Sequence, residues 1–257
     1  MTQPFHLIGA SFLRLSQVVG EMLLLFAKGM LWLRQAHYNV RSIIRQMSRV
    51  GADTFPIASV MSLFIGMVLA LQSGYALVKY GTQSRHLGPI VALSIVRELG
   101  PVLTSLLVAG RIGSSMAAEI GTMVVSEEID ALVTLRINPV RYLVMPRLLA
   151  CLFMLPVLVV YADLLGILGG GLVAHTYFDV PYNNYFDQVY NSLDFAEILR
   201  GLVKATFFGG IIATVGCHRG FQASGGAEGV GRATTEAVVY SFVGIFIFNY
   251  FITRLYL

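Results

Sequence analysis

Apolar residues dominate this chain in long runs, and the breaks between the runs set its architecture. Five stretches are long enough to cross a bilayer, which takes about 20 residues of helix: roughly 54–80, 89–109, 148–176, 198–217 and 236–256. Ahead of them, Met22–Leu33 is apolar but interrupted by Lys28. Arg14, Glu21, Lys28 and Gln35 recur every seven residues as one polar stripe. That pattern predicts a helix lying in the membrane interface; a soluble helix packed on a partner is the alternative. No short basic n-region or A-x-A-like site brackets the run, so a cleavable signal peptide is not expected. The segment RSIIRQMSRV reads as a second short amphipathic piece.

The stretch from Gly88 to Pro139 organises the rest. Its span carries Arg97 and Glu98, followed by Gly100-Pro101, where a missing backbone donor predicts a kink. Small residues follow (Gly113, Ser114, Ser115, Ala117, Ala118), and then a short polar helix over 126–138. Ser126 is the expected N-cap, Glu127 and Glu128 the acidic first turn, and Pro139 the stop. Ile129, Leu132, Val133 and Ile137 share one apolar face of that helix. A span with buried charge, a close-packing segment and a detached amphipathic helix suit a transport subunit driven by a partner.

Arginines at 34, 41, 45 and 49, at 111, 136, 141 and 147, and at 219 and 232 fall in alternate connecting segments of the five spans, and so all on one side. The positive-inside rule then places the N-terminus in the cytoplasm and the C-terminus outside. The segment between His175 and Arg200 holds Asp179, Asp187, Asp194 and Glu197 among Tyr and Phe, and predicts an external interfacial helix. Gly166–Gly171 (GILGGG) reads as a close-packing face within the subunit, with a dimer seam as the alternative. The glycines of 225–231 read as a mobile loop.

Composition agrees. The chain is 56% hydrophobic and 12% charged over 257 residues, about half the charged fraction of a soluble domain. The fold class is therefore all-α and polytopic, with an N-terminal amphipathic region over 1–53 and a five-span domain over 54–257. A net charge of +4 gives no case for nucleic-acid binding. Cys151 and Cys217 make neither a disulfide framework nor a metal site. No Walker A loop, dinucleotide fingerprint or H-E-x-x-H motif is present, so no catalytic or metal-ligating residue is assigned.

The candidate chemistry is buried charge, which usually faces protein or a wet cavity. Glu98 is expected on a cavity wall or in an intramembrane ion pair. Lys204 is less deep and either lines that cavity, pairs, or snorkels outward. Asp163 reads as a proton site or as an interhelical contact.

The blocks FIGMVLALQSGY, VALSIVRELGPVLTSLLVAGRIGSSMAAEIGTM, SEEIDAL and GRATTEAVV resemble the MlaE (YrbE) family, permease subunits of ABC transporters that work with MCE-domain proteins. The resemblance covers nearly the whole chain. It implies a homodimer in the bacterial inner membrane, its C-terminus periplasmic. Each copy would sit on an ATPase subunit that binds the ATP and Mg, with no cofactor in this chain. It also implies a periplasmic MCE-domain hexamer, a STAS-domain small subunit on the ATPase, and phospholipid cargo moved between inner and outer membrane to keep lipid asymmetry. Under it, Glu98, Leu99, Leu69, Leu77, Val78, Tyr80 and Lys204 are assigned to the lipid cavity, and Glu127, Glu128, Ile129, Asp130 and Leu132 to ATPase coupling. A proton-coupled secondary transporter using Glu98, Asp163 and Lys204, and a non-transporting membrane scaffold, are the other readings.

Overall fold

The computed structural model describes residues 3–32, 39–79 and 86–256. Every regular element among them is helical. Helix α1 is Gln3–Leu31, α2 Val40–Gly51 and α3 Phe55–Lys79. Helix α4 runs unbroken over Leu87–Val125, and α5 is the short Glu128–Thr134. They are followed by α6 (Val140–Phe178), α7 (Tyr182–Ser192), α8 (Phe195–Phe221) and α9 (Gly226–Tyr256). Five of these stretches, α2 with α3 and then α4, α6, α8 and α9, are long and apolar enough to cross a membrane. The chain is an all-α polytopic membrane protein.

Helix α6 is the axis of the bundle. Its glycine-rich face meets α3, where a Cβ on Gly66 would run into the carbonyl of Gly166. The two backbones touch, so GILGGG packs within the subunit. In the main core, Val108, Ile112 and Met116 of α4 meet Leu155 and Leu158 of α6, Phe208 and Ile212 of α8, and Ile245 of α9. A second cluster sits at the opposite end from α5, where α7 folds back and drives Tyr185 fully into the bundle. The Tyr185 hydroxyl donates to the Ile167 carbonyl at 3.2 Å, and burial pushes its phenol pKa up. A helix stands where an external one was expected, as α7, and Tyr185 anchors it in protein.

Helix α1 crosses the α5 end of the bundle. Leu148 lies against Gly29, and Phe26 against Gly210. Arg141 stands 5.5 Å over the Trp32 ring. Glu21 accepts from Gln17 at 3.0 Å, lies 3.2 Å from His218 Nε2 and accepts from Gln222 at 3.2 Å. The Gln17 bond, then that to His218, holds the Glu21 carboxyl below its ordinary range.

Three local expectations differ from the structure. Ser126 does not cap α5; it ends α4, and Glu127, in the left-handed region at φ 59°, makes the reversal. Pro139 does not end α5, which stops at Thr134; Arg136 (φ 59°) turns the chain and Pro139 leads into α6. Asn138 Oδ1 caps that next helix by accepting the Val140 N–H at 2.9 Å. The glycines at 226, 229 and 231 are not a loop; they form the first turns of α9, leaving only 222–225 between helices.

Candidate functional site

The site grows out of one missing hydrogen-bond donor. In an α-helix the Arg97 carbonyl would accept the N–H of residue 101, but Pro101 has none. The helix responds by widening to a π turn over Ile95–Leu99, with the Gly100 N–H reaching back to the Ile95 carbonyl. Lys204 of α8 supplies the lost donor, its Nζ lying 2.9 Å from the Arg97 carbonyl oxygen. The same ammonium donates to Glu98 Oε1 at 2.6 Å and to Thr253 Oγ1 at 2.9 Å. Thr253 passes its proton side to Glu98 Oε1 at 3.0 Å, and Asn249 Nδ2 donates to Glu98 Oε2 at 3.0 Å. Four groups from three helices are thus tied together, with Asn249 Oδ1 left without a partner among the described residues. Lys204 is buried, 3% exposed at its side chain, whereas the Glu98 side chain is 39% exposed. The cluster has a sealed cationic side and an open anionic side. Lys204 does not snorkel outward; it points inward to the π turn.

One position earlier, Arg97 turns to the start of α8. Its Nε and Nη2 donate to Glu197 at 2.6 and 2.7 Å, a bidentate pair, and Arg200 adds a third bond at 2.9 Å. One position later, Leu99 faces the other way, since neighbours on a helix diverge by about 100°. It lines a cleft with Ala58, Met61, Ser62, Ile65 and Leu103, between α3, α4 and α6, with ≈ 370 Å³ of empty space. Glu98 and Leu99 therefore serve different faces of α4. Leu69 and Leu77 pack on the Tyr185 cluster, half-buried, and Val78 is exposed at 61%; Tyr80 lies outside the described residues. Asp163 of α6 packs on Gly100 behind the π turn, buried, its Oδ1 without a partner among the described residues.

At the other end, Glu127, just ahead of α5, and Glu128 and Asp130 on it are exposed, while Ile129 and Leu132 are half-buried. The apolar side chains that face outward are Val133, Leu135 and Ile137. Glu119 of α4 bridges Arg49 at 2.6 Å and Arg147 at 2.8 Å, tying α2 and α6 to the helix that leads into α5.

This arrangement now has relatives. The family model described as Permease MlaE matches residues 43–255, from α2 to the last turn of α9. The chain belongs to the MlaE permease family. A probable ABC transporter permease of Rickettsia prowazekii is 40% identical over 98% of this chain and 96% of its own length. One from Synechocystis is 41% identical over 86% and 84%. The Arabidopsis thaliana protein trigalactosyldiacylglycerol 1, chloroplastic, is 35% identical over 93% of this chain and 66% of its own length. The protein is an ABC transporter permease, a transport subunit in kind.

Within this MlaE permease, the functional candidates that sequence reasoning missed are Asn249 and Thr253. They are two polar residues four apart in IFIFNYFITRLY, one helix face in an otherwise apolar span. That spacing was the available signal. Glu119 and Glu197 were likewise missed as ion-pair centres, because Arg147, Arg49 and Arg97 lie 28 to 100 positions from them, and only Arg200, three from Glu197, is near in sequence.

Proposed function

We propose that this chain is the membrane permease of an ABC transporter that moves phospholipid between the inner and outer bacterial membranes and so maintains outer-membrane lipid asymmetry. The observation that carries this reading is the Glu98 cluster: a half-open carboxylate, held by a sealed ammonium, among helices with wide apolar outer faces. A phospholipid needs a polar contact for its headgroup beside apolar surface for its tails. Phe246, Ile247 and Phe251 of α9 and Phe64 and Val68 of α3 are such surface, each about half exposed. The chloroplast relative carries the name of a diacyl lipid, a galactolipid, which fits lipid cargo in general.

In this reading two copies pair side by side, with the α5 end in the cytoplasm and the C-terminus in the periplasm. ATP hydrolysis belongs to a partner ATPase that grips α5, with Glu127, Glu128 and Asp130 orienting it and Ile129 and Leu132 entering a groove as the helix shifts. An MCE-domain lipid-binding hexamer sits on the periplasmic face and a STAS-domain subunit on the ATPase. Residues 1–53 lie along the interface and 54–257 form the permease domain. One observation favours a second reading: buried Asp163, its Oδ1 without a partner among the described residues, suits a proton-coupled carrier.

The experiment is purification of the full chain in mild detergent with whatever accompanies it, followed by mass spectrometry of proteins and lipids. The reading expects an ATPase, a second copy of the chain and bound phospholipid. A lone monomer free of ATPase and lipid contradicts it. Transport that survives a hydrolysis-dead ATPase favours the proton-coupled carrier instead.

A further inference from the structure

At the α5 end, away from the Glu98 cluster, α8 and α9 enclose a recess that neither the transport reading nor the coupling helix uses. Arg219, Gln222, Ser224, Gly229, Arg232 and Glu236 line it, around ≈ 450 Å³ of empty space open to solvent. Arg219 is its fixed wall: the residue is 8% exposed, and its guanidinium lies 4.0 Å over the Tyr240 ring. Its Nη1 donates to Gln222 Oε1 at 3.0 Å and to Glu236 Oε2 at 3.2 Å, while Nε has no partner among the described residues. A buried guanidinium with a donor left over is a costly arrangement unless something accepts from it.

The backbone adds to this. Helix α9 starts at Gly226, and the tight loop before it has Gly225 and Gly226 at φ 87° and 74°. A Cβ on Gly229 would collide with the Ser224 carbonyl, so only glycine lets the loop close onto the first turn. Of the first turn of this 31-residue helix, Gly229 lines the recess, and a helix start with its dipole favours an anion. Arg232, one turn further on, is exposed and brings a second guanidinium. The opposing charge in the lining is Glu236, which is already paired to Arg219; Glu21 of α1 lies behind Gln222, bonded to it at 3.2 Å, and Glu228 is exposed in the same first turn, neither being part of the lining. Two arginines against one carboxylate leave the lining cationic.

We propose that this recess binds a phosphate group, held by Arg219 and Arg232 at the start of α9. Guanidinium forks match phosphate oxygens in pairs. The phosphate comes from one of two sources, a phospholipid headgroup at the membrane surface or free phosphate. The headgroup source rests on the phospholipid reading above; the free-phosphate source does not.

The test uses the full chain with its co-purifying subunits in dodecyl maltoside, titrated separately with inorganic phosphate and with soluble dihexanoyl phosphatidylglycerol. Hydrogen exchange of 222–232 reports occupancy. Both probes are expected to slow exchange there, and Arg232→Gln should weaken them about tenfold, the loss of one charge-assisted contact. Arg219→Lys keeps the buried charge and removes the fork; it should weaken binding as much while the chain stays folded. Tighter binding of the lipid identifies a headgroup, and equal binding identifies free phosphate. Unchanged exchange with both probes, or binding indifferent to Arg232→Gln, overturns the proposal. A recess that protects with phosphate in a chain that never captures lipid would uphold this inference and end the phospholipid reading.

Discussion

Glu98 and Lys204 are unequal partners, and the inequality is testable. Lys204 is sealed in while Glu98 is half open, so removing the carboxylate strands a buried ammonium. Removing the lysine strands a carboxylate that water still reaches. Glu98→Ala is expected to destabilise the protein by about 2–4 kcal/mol, and Lys204→Met by about half as much. The double variant should recover part of the loss. Thermal unfolding in detergent measures this, and equal costs for the two single variants would contradict the geometry. In transport, Glu98→Gln should be mild, because it keeps shape and accepts from Lys204, and Glu98→Lys should abolish it by setting two ammoniums together. The sequence exposed both charges, since a charge inside a span is conspicuous. It did not show where Lys204 points, because a lysine stem reaches inward or outward equally well. What decides is the carbonyl that Pro101 leaves without a donor, a consequence visible only once α8 is known to cross there. Asn249 and Thr253 were harder still, being neutral and common.

At the scale of elements, the spans were legible and their ends were not. Five apolar runs set the fold, and the Gly100-Pro101 break appears as the π turn. Ser126 reads as a cap by local preference, yet α4 runs on to Val125 and takes it as a terminus. Glycines 226–231 read as a loop by propensity, yet closure on Ser224 needs glycine inside the helix. In both places contacts with nearby backbone, Ser126 to Thr122 and Gly229 to Ser224, overrode a preference of roughly 1 kcal/mol or less. Two expectations belong here. Gly66→Val places a branched side chain on the Gly166 carbonyl and should separate α3 from α6, destabilising by about 3 kcal/mol or more; wild-type stability would refute that contact. The hold of α1 on α8 through Glu21, His218 and Gln222 should loosen in acid. Glu21 is held below its ordinary 4.5, so its contribution is present above that value and disappears as pH falls through the folded pKa. The single tryptophan, Trp32, follows α1, and its emission should shift between about pH 5 and about pH 3. An emission flat across that window would count against the Glu21 latch.

For the whole molecule, the charged ends and the apolar waist describe a machine driven from one side. Acidic α5 projects at one end, braced through Glu119 to Arg49 and Arg147. The Glu98 cluster lies nearer the other end, on the same helix, α4. Leu132→Asp should release the ATPase or uncouple hydrolysis from transport while the spans stay folded; unchanged co-purification with unchanged transport would refute the coupling role. The central claim is that phospholipid meets the protein at Glu98. Photo-cross-linking tests it most directly, with a reactive residue placed in turn at 98 and at 99 and labelled phospholipid in native membranes. The account predicts lipid capture at position 98, falling when the partner ATPase hydrolyses ATP. Capture of protein alone at 98, together with a Glu98→Lys variant that transports normally, would contradict it.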